Sequence, residues 1–118
     1  MRVLVVDDED SVCVAIAMML SCRQHETVCV ATGSEALQAV KTGQFGLALV
    51  DWSLPDMTGS QTLAALRSIA PDLKTIVITG VDPQAVTDSL GEVQPDAILR
   101  KPFTMDALHA TVVGVCGG

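Results

Sequence analysis

Short apolar runs alternate along the chain with longer stretches of helical spacing. The runs fall at Val3–Val6, Val28–Ala31, Leu47–Val50, Thr75–Ile78 and Ala97–Leu99. Uninterrupted runs of this length suit strands buried on both faces, as in a parallel sheet. Between them, Val12, Ala15, Ile16 and Met19 mark a first helical face, with Asp10 or Ser11 available as its cap. Ser34 is placed to cap a second helix that carries Ala36, Leu37 and Val40 and ends at Gly43. Thr62, Leu63, Leu66 and Ile69 share one side of a third, closed by Pro71. A fourth runs from Pro83, a residue suited to a first helical turn, to Leu90, with Gly91 as its stop. Met105, Leu108, Val112 and Val115 stripe a fifth, capped by Thr104.

The order is five β/α units. Short crossovers force parallel neighbours and right-handed connections, so an α/β fold with an open, doubly wound sheet follows. Such sheets bind ligands beyond the carboxyl ends of their strands, at the topological switch point. With 118 residues and no internal repeat or low-complexity tract, residues 1–118 read as one domain against the soft prior of ~100–200 residues. Only Gly117–Gly118 has the look of a linker, and no output domain is expected within the chain.

Chemistry enters where those strands end. Val5 and Val6 run straight into four acids, Asp7, Asp8, Glu9 and Asp10. Two unit charges ~4 Å apart repel by ~1 kcal/mol in water and ~4 kcal/mol at an effective dielectric near 20. Either the acids point apart into solvent or a cation sits among them. Asp51 follows the third run, Thr79 the fourth and Lys101 the fifth, whereas the second ends in Ala31–Thr32. Each has an ordinary reading alone: acids favouring a helix N-terminus, turn residues at Asp51 and Thr79, a solvated lysine. Independent turn residues have no reason to select metal- and phosphoryl-handling groups at four strand ends on one sheet edge. Their coincidence marks a site.

Charge and cysteine usage exclude several classes. The net charge is −7, from 14 acids and 7 bases, and Arg100–Lys101 is the only adjacent basic pair. A duplex-binding module needs a basic face for its phosphate contacts, so direct nucleic-acid binding is not expected. The apolar stretch Val12–Leu20 is too short to cross a bilayer, which takes about 20 residues. Met1 opens no signal-peptide pattern, which makes a cytoplasmic setting the expectation. Cys13, Cys22, Cys29 and Cys116 lack metal-ligand spacing and read as reduced packing thiols. His25 and His109 read as surface or helix residues, and Met18, Met19, Met57 and Met105 as core or rim. Trp52 is expected half-exposed beside the pocket, and Phe103 as a packing anchor.

The acidic pair after the first strand, "LVDWSLPDMTG" around the third, "ITG" after the fourth and "KPF" after the fifth together resemble the receiver domain of two-component response regulators. The similarity runs from Arg2 to about Cys116. It implies a flavodoxin-like sheet in the order 2-1-3-4-5 with five helices on both faces. It implies that Asp51 is the phosphoacceptor, taking a phosphoryl group from the phosphohistidine of a sensor histidine kinase or phosphotransfer protein. Asp8 matches the direct ligand of Mg²⁺, Asp7 its water-mediated companion, and the backbone carbonyl of Ser53 a third protein ligand. Thr79 matches the hydroxyl residue that engages the phosphoryl oxygen, and Lys101 the lysine that pairs with the acceptor and then with the phosphoryl group. Lys101–Pro102 matches a cis bond. The readout would be a reshaped face of the fourth helix, fifth strand and fifth helix, offered to an effector protein or fused output domain.

Such a protein is a switch that assists its own phosphorylation and dephosphorylation, rather than an enzyme acting on an external metabolite. The chemistry agrees: phosphoryl transfer needs mainly positioning and charge neutralisation, and Mg²⁺ takes carboxylates, waters and phosphate oxygens. Two departures stand out. Ile98 occupies the place, three residues before the lysine, where the family often carries a mobile aromatic, and the chain has no tyrosine. Gln94–Pro95 replaces a small-residue pair. Two other readings compete: a haloacid-dehalogenase-like phosphatase built on Asp8-Glu9-Asp10, and a degenerate receiver that docks partners without phosphorylation.

Overall fold

The computed structural model describes residues 1–117. Its elements follow in strict alternation: β1 (Arg2–Val6), α1 (Asp10–Ser21), β2 (Glu26–Val30), α2 (Gly33–Thr42), β3 (Leu47–Asp51), α3 (Gly59–Ile69), β4 (Lys74–Thr79), α4 (Pro83–Leu90), β5 (Ala97–Arg100) and α5 (Met105–Cys116). The five strands form one parallel sheet in the order β2-β1-β3-β4-β5. This is the expected flavodoxin-like order. The chain leaves β1 toward β2 on one side and returns to β3 on the other, so the crevice between the ends of β1 and β3 is the switch point.

Alternation along each strand divides the core. Val3 and Val5, Leu47 and Leu49, Ile76 and Ile78, and Leu99 face α1 and α5, where they meet Ile16, Leu20, Leu108 and Val112. Leu4, Val6, Ala48 and Val50 face the opposite side, against Ala36 of α2 and Leu66 of α3. A third cluster joins Leu63 of α3, Val77 of β4, and Val86 and Leu90 of α4, with Trp52 and Ile98 packed on it. Truncating a fully buried leucine such as Leu49 to alanine would cost ~2–5 kcal/mol.

The outer strands depart from the expectation of burial on both faces. β2 begins at Glu26 rather than Val28 and is only partly buried, as is β5, because each is an edge strand covered on fewer sides. Helix caps differ too. Thr32, not Ser34, caps α2, its hydroxyl accepting from the Glu35 N–H at 3.1 Å. Glu9, rather than Asp10 or Ser11, precedes α1, and its side chain makes no capping hydrogen bond. Thr104 caps α5 as expected. Gly117 follows α5, and Gly118, the rest of the expected linker, lies outside the described residues.

Candidate functional site

Backbone pairing delivers the polar residues to one edge. The Asp7 N–H donates to the Val30 carbonyl at 3.0 Å, which extends the β1–β2 ladder and fixes Asp7 just beyond β1. Asp51 is the last residue of β3 and pairs with Ile78, so Thr79 ends β4 one position further on. The Lys101 N–H donates to the Thr79 carbonyl at 2.7 Å, which brings Lys101 to the same edge. Its bond to Pro102 is cis.

There the side chains converge. Carboxylate oxygens of Asp7, Asp8 and Asp51 lie within 4.8 Å of one another. Asp7 and Asp51 are buried, at 2% and 6% exposure, while Asp8 is open to solvent. The Lys101 ammonium donates to Asp7 Oδ2 at 3.1 Å and stands 3.7 Å from Asp51 Oδ2 and 3.9 Å from Glu9 Oε1. It therefore sits nearer Asp7 than Asp51, the carboxylate with which the resemblance paired it. Glu9 turns toward the lysine as well as toward solvent, although its side chain is 62% exposed. Asp10 is the first residue of α1 and takes no part in the aspartate cluster, which removes the support for a phosphatase built on Asp8-Glu9-Asp10.

The remaining contacts set protonation and orientation. The Ser53 N–H donates to Asp51 Oδ1 at 3.2 Å, and the Glu9 N–H to Asp7 Oδ1 at 2.9 Å. Burial raises the Asp51 pKa above the ordinary aspartate range; the Ser53 hydrogen bond opposes the rise and the Asp7 charge adds to it. Burial would lower the Lys101 pKa, but the hydrogen bond to Asp7 and the charges of Asp51, Asp7 and Glu9 outweigh it and leave the amine above its usual value. Lys101 is thus held cationic among carboxylates that repel one another. A divalent cation would relieve the same repulsion, and three oxygen donors of this kind suit a hard ion such as Mg²⁺. Thr79 is buried, and its Oγ1 accepts from the Val81 N–H at 3.0 Å. A hydroxyl also carries one donor, so it can bind an anionic oxygen placed in the pocket.

Residues 3–113 match the response regulator receiver domain. The chain belongs to that family. Among the receivers it is similar to, the transcriptional regulatory protein BasR of Escherichia coli K12 is 28% identical over 114 residues, covering 95% of this chain and 50% of BasR. This receiver thus spans about half the length of that relative. A CheY-like receiver domain protein from Methanospirillum hungatei JF-1 superposes with a TM-score of 0.85 at 30% identity, covering 94% of this chain and 89% of that one. The receiver domain of the sensor histidine kinase PA1611 from Pseudomonas aeruginosa PAO1 shares the fold, with a TM-score of 0.88, 21% identity and coverage of 99% and 98%. Receivers are phosphoacceptor modules of two-component signalling, found in response regulators and in sensor kinases. Receiver domains bind Mg²⁺ at an acidic site, and this chain brings three aspartates, Asp7, Asp8 and Asp51, into one cluster.

Trp52 is half-buried beside the pocket, and Phe103 packs against the α1–α5 core. Trp52 lies so close over Gly59 that a Cβ there would overlap the indole ring. His109 is a residue of α5, within the surface-or-helix reading, and is buried, with Nε2 2.8 Å from the Met19 carbonyl near the end of α1. The thiols depart from the packing expectation. Only Cys13 is a fully buried thiol, its pKa pushed up to about 12 by burial and by the neighbouring Cys29; Cys22 and Cys29 are exposed. Met18 and Met105 lie on the surface, where with Met19 they line a shallow apolar groove. The sequence reading missed Asp56 altogether. Its only signal was a carboxylate within the "SLPDMT" loop, and nothing local points from there to α2.

Proposed function

We propose that this receiver is a phosphorylatable switch in which Asp51 is the acceptor, charged by the phosphohistidine of a sensor kinase or phosphotransfer protein. An Asp51 carboxylate oxygen attacks phosphorus, an O–P bond forms, the N–P bond breaks, and the released imidazole takes up a proton. The observation that carries this reading is the meeting of Asp7, Asp8 and Asp51 within 4.8 Å, with the Lys101 ammonium at 3.1 Å from Asp7 and 3.7 Å from Asp51. Asp7, Asp8, Asp51 and the Ser53 carbonyl would hold Mg²⁺. When bound, that ion supplies neutralisation of the phosphoryl oxygens.

Lys101 and Thr79 supply the rest. The compact ammonium on its flexible stem can follow the transferred group, and the Thr79 hydroxyl donates to one of its oxygens. Transfer puts a group of about −1.5 to −2 charges where a single carboxylate charge stood, in a pocket already dense in acids. Thr79 shifts toward the new oxygens, and β4 carries the displacement to the face formed by α4, β5 and α5. Ile98 shares an apolar cluster with Trp52, Val86 and Leu90, so here the signal travels by packing rather than by an aromatic rotamer. The partner on that face is an effector protein or a fused output domain. Residues 1–118 work as one receiver unit in the cytoplasm and act on no external metabolite.

Incubation with acetyl phosphate and Mg²⁺, followed by intact mass measurement, tests the assignment. One phosphoryl group is expected, lost on mild base treatment and missing in Asp51→Asn. Equal labelling of that variant would overturn the acceptor.

A further inference from the structure

We infer that Asp56 is a positioning residue for the metal-binding loop, an assignment that rests on the reading of Asp7, Asp8, Asp51 and Ser53 as Mg²⁺ ligands. Asp56 lies in the loop between β3 and α3, yet its carboxylate closes the start of α2. Oδ1 accepts from the Gly33 N–H at 2.8 Å; Oδ2 accepts from the Ser34 N–H at 3.0 Å and from the Ser34 hydroxyl at 2.8 Å. An α-helix begins with four N–H groups that have no intrahelical partner. In α2 the first two go to Asp56 and the third, Glu35, to the Thr32 hydroxyl. These bonds depress the Asp56 pKa and keep the group anionic. Met57 adds an apolar contact at the same point: a Cβ on Gly33 would fall 2.6 Å from its sulfur and force that side chain to move.

The loop has three moorings. At its base Ser53 and Thr58 form an antiparallel bridge. Toward α3, Thr58 and Gln61 form a reciprocal capping box. Toward the acceptor, the Ser53 N–H is held by Asp51. All of these tie the loop to its own neighbours in sequence. Among the side-chain hydrogen bonds of the described loop residues, those of Asp56 are the ones that reach a distant element, across 22 and 23 residues of chain, with the Met57 contact beside them. Asp56 thereby fixes the loop that carries the Ser53 carbonyl before any ion arrives, and a ligand ordered in advance lowers the cost of binding.

A pair of variants separates positioning from simple capping. Thr32→Ala and Asp56→Ala each remove a cap from the same helix end, but only the second releases the loop. Calorimetric titration with Mg²⁺ and thermal unfolding without it are measured for both and for the natural chain. Both variants should lose thermal stability. Asp56→Ala should weaken Mg²⁺ binding by roughly three- to ten-fold, below the ~10–100-fold typical for direct partners of metal ligands. Asp56→Asn, which keeps one acceptor oxygen, should fall between, and Thr32→Ala should bind as the natural chain does. Unchanged affinity in Asp56→Ala, or equal weakening in Thr32→Ala, overturns the positioning role while leaving the metal site intact. Failure of the natural chain to bind Mg²⁺ overturns the metal site and the inference together.

Discussion

The N-termini of α1 and α2 make opposite use of acidic residues. Helix α1 follows Asp7, Asp8 and Glu9, and its N-cap residue Glu9 contributes no side-chain hydrogen bond. Helix α2 has one acid in its own first turn, Glu35, yet its leading N–H groups are satisfied by the Thr32 hydroxyl and by a carboxylate borrowed from another loop. The difference teaches that acids placed beside a helix start need not serve the helix. At α1, Asp7 spends its oxygens on Lys101 and the Glu9 amide, and Glu9 itself leans toward Lys101. A cap worth ~1 kcal/mol is given up where charge is gathered for chemistry.

That contrast can be broken at the cation first. Lys101 is the one positive group within reach of Asp7, Glu9 and Asp51 among the described residues. Lys101→Ala should lower the unfolding free energy by roughly 1–3 kcal/mol in chelator, since removing one partner leaves the buried Asp7 uncompensated. Millimolar Mg²⁺ should restore much of the loss, as a ligand of the folded state alone must. Urea unfolding with and without Mg²⁺ measures both, and an unaltered midpoint in chelator would mean that the pair contributes nothing.

Asp51 should behave in the opposite sense. The folded-state pKa of Asp51 is raised, by burial first and by the Asp7 charge in addition. A carboxylate of this kind costs nothing below its ordinary value of ~3.9, when it is protonated in both states. Its penalty grows as pH rises above that value and is complete above the raised folded pKa. Asp51→Asn should therefore be more stable than the natural chain at pH 7.5 in chelator, by on the order of 1 kcal/mol, with the gain vanishing toward acid pH. Urea midpoints across that range decide it; a variant less stable at neutral pH contradicts the account of mutual repulsion. The smallest effect belongs to α1. Glu9→Ser supplies the missing cap and should add ~0.5 kcal/mol, partly offset by the lost approach to Lys101, as thermal unfolding would register.

Much of the site was legible because it consists of residues that end strands. A strand's apolar run and its terminal polar residue are neighbours in the chain, so the pattern that located Asp7, Asp8, Asp51, Thr79 and Lys101 needed only local periodicity. The chemistry of those residue types did the rest. Asp56 was not legible, because its partners Gly33 and Ser34 become its neighbours only when α2 and the β3–α3 loop meet. The burial of His109 was not legible for a related reason: its partner, the Met19 carbonyl, comes opposite it only in the folded chain.

By itself, then, the order of apolar runs and helical stripes determined the five β/α units, and the strand-terminal polar residues determined which sheet edge gathers the charged groups. Both follow from interactions between residues close in the chain, where spacing alone dictates which side chains share a face. Tertiary structure decided the rest: that Lys101 lies nearer Asp7 than Asp51, that Glu9 caps no helix with its side chain, that Trp52 covers Gly59, and that Asp56 closes a helix it does not belong to. A carboxylate or an ammonium takes the partner that packing brings within about 3 Å, and that partner is set by how helices and loops settle on the sheet.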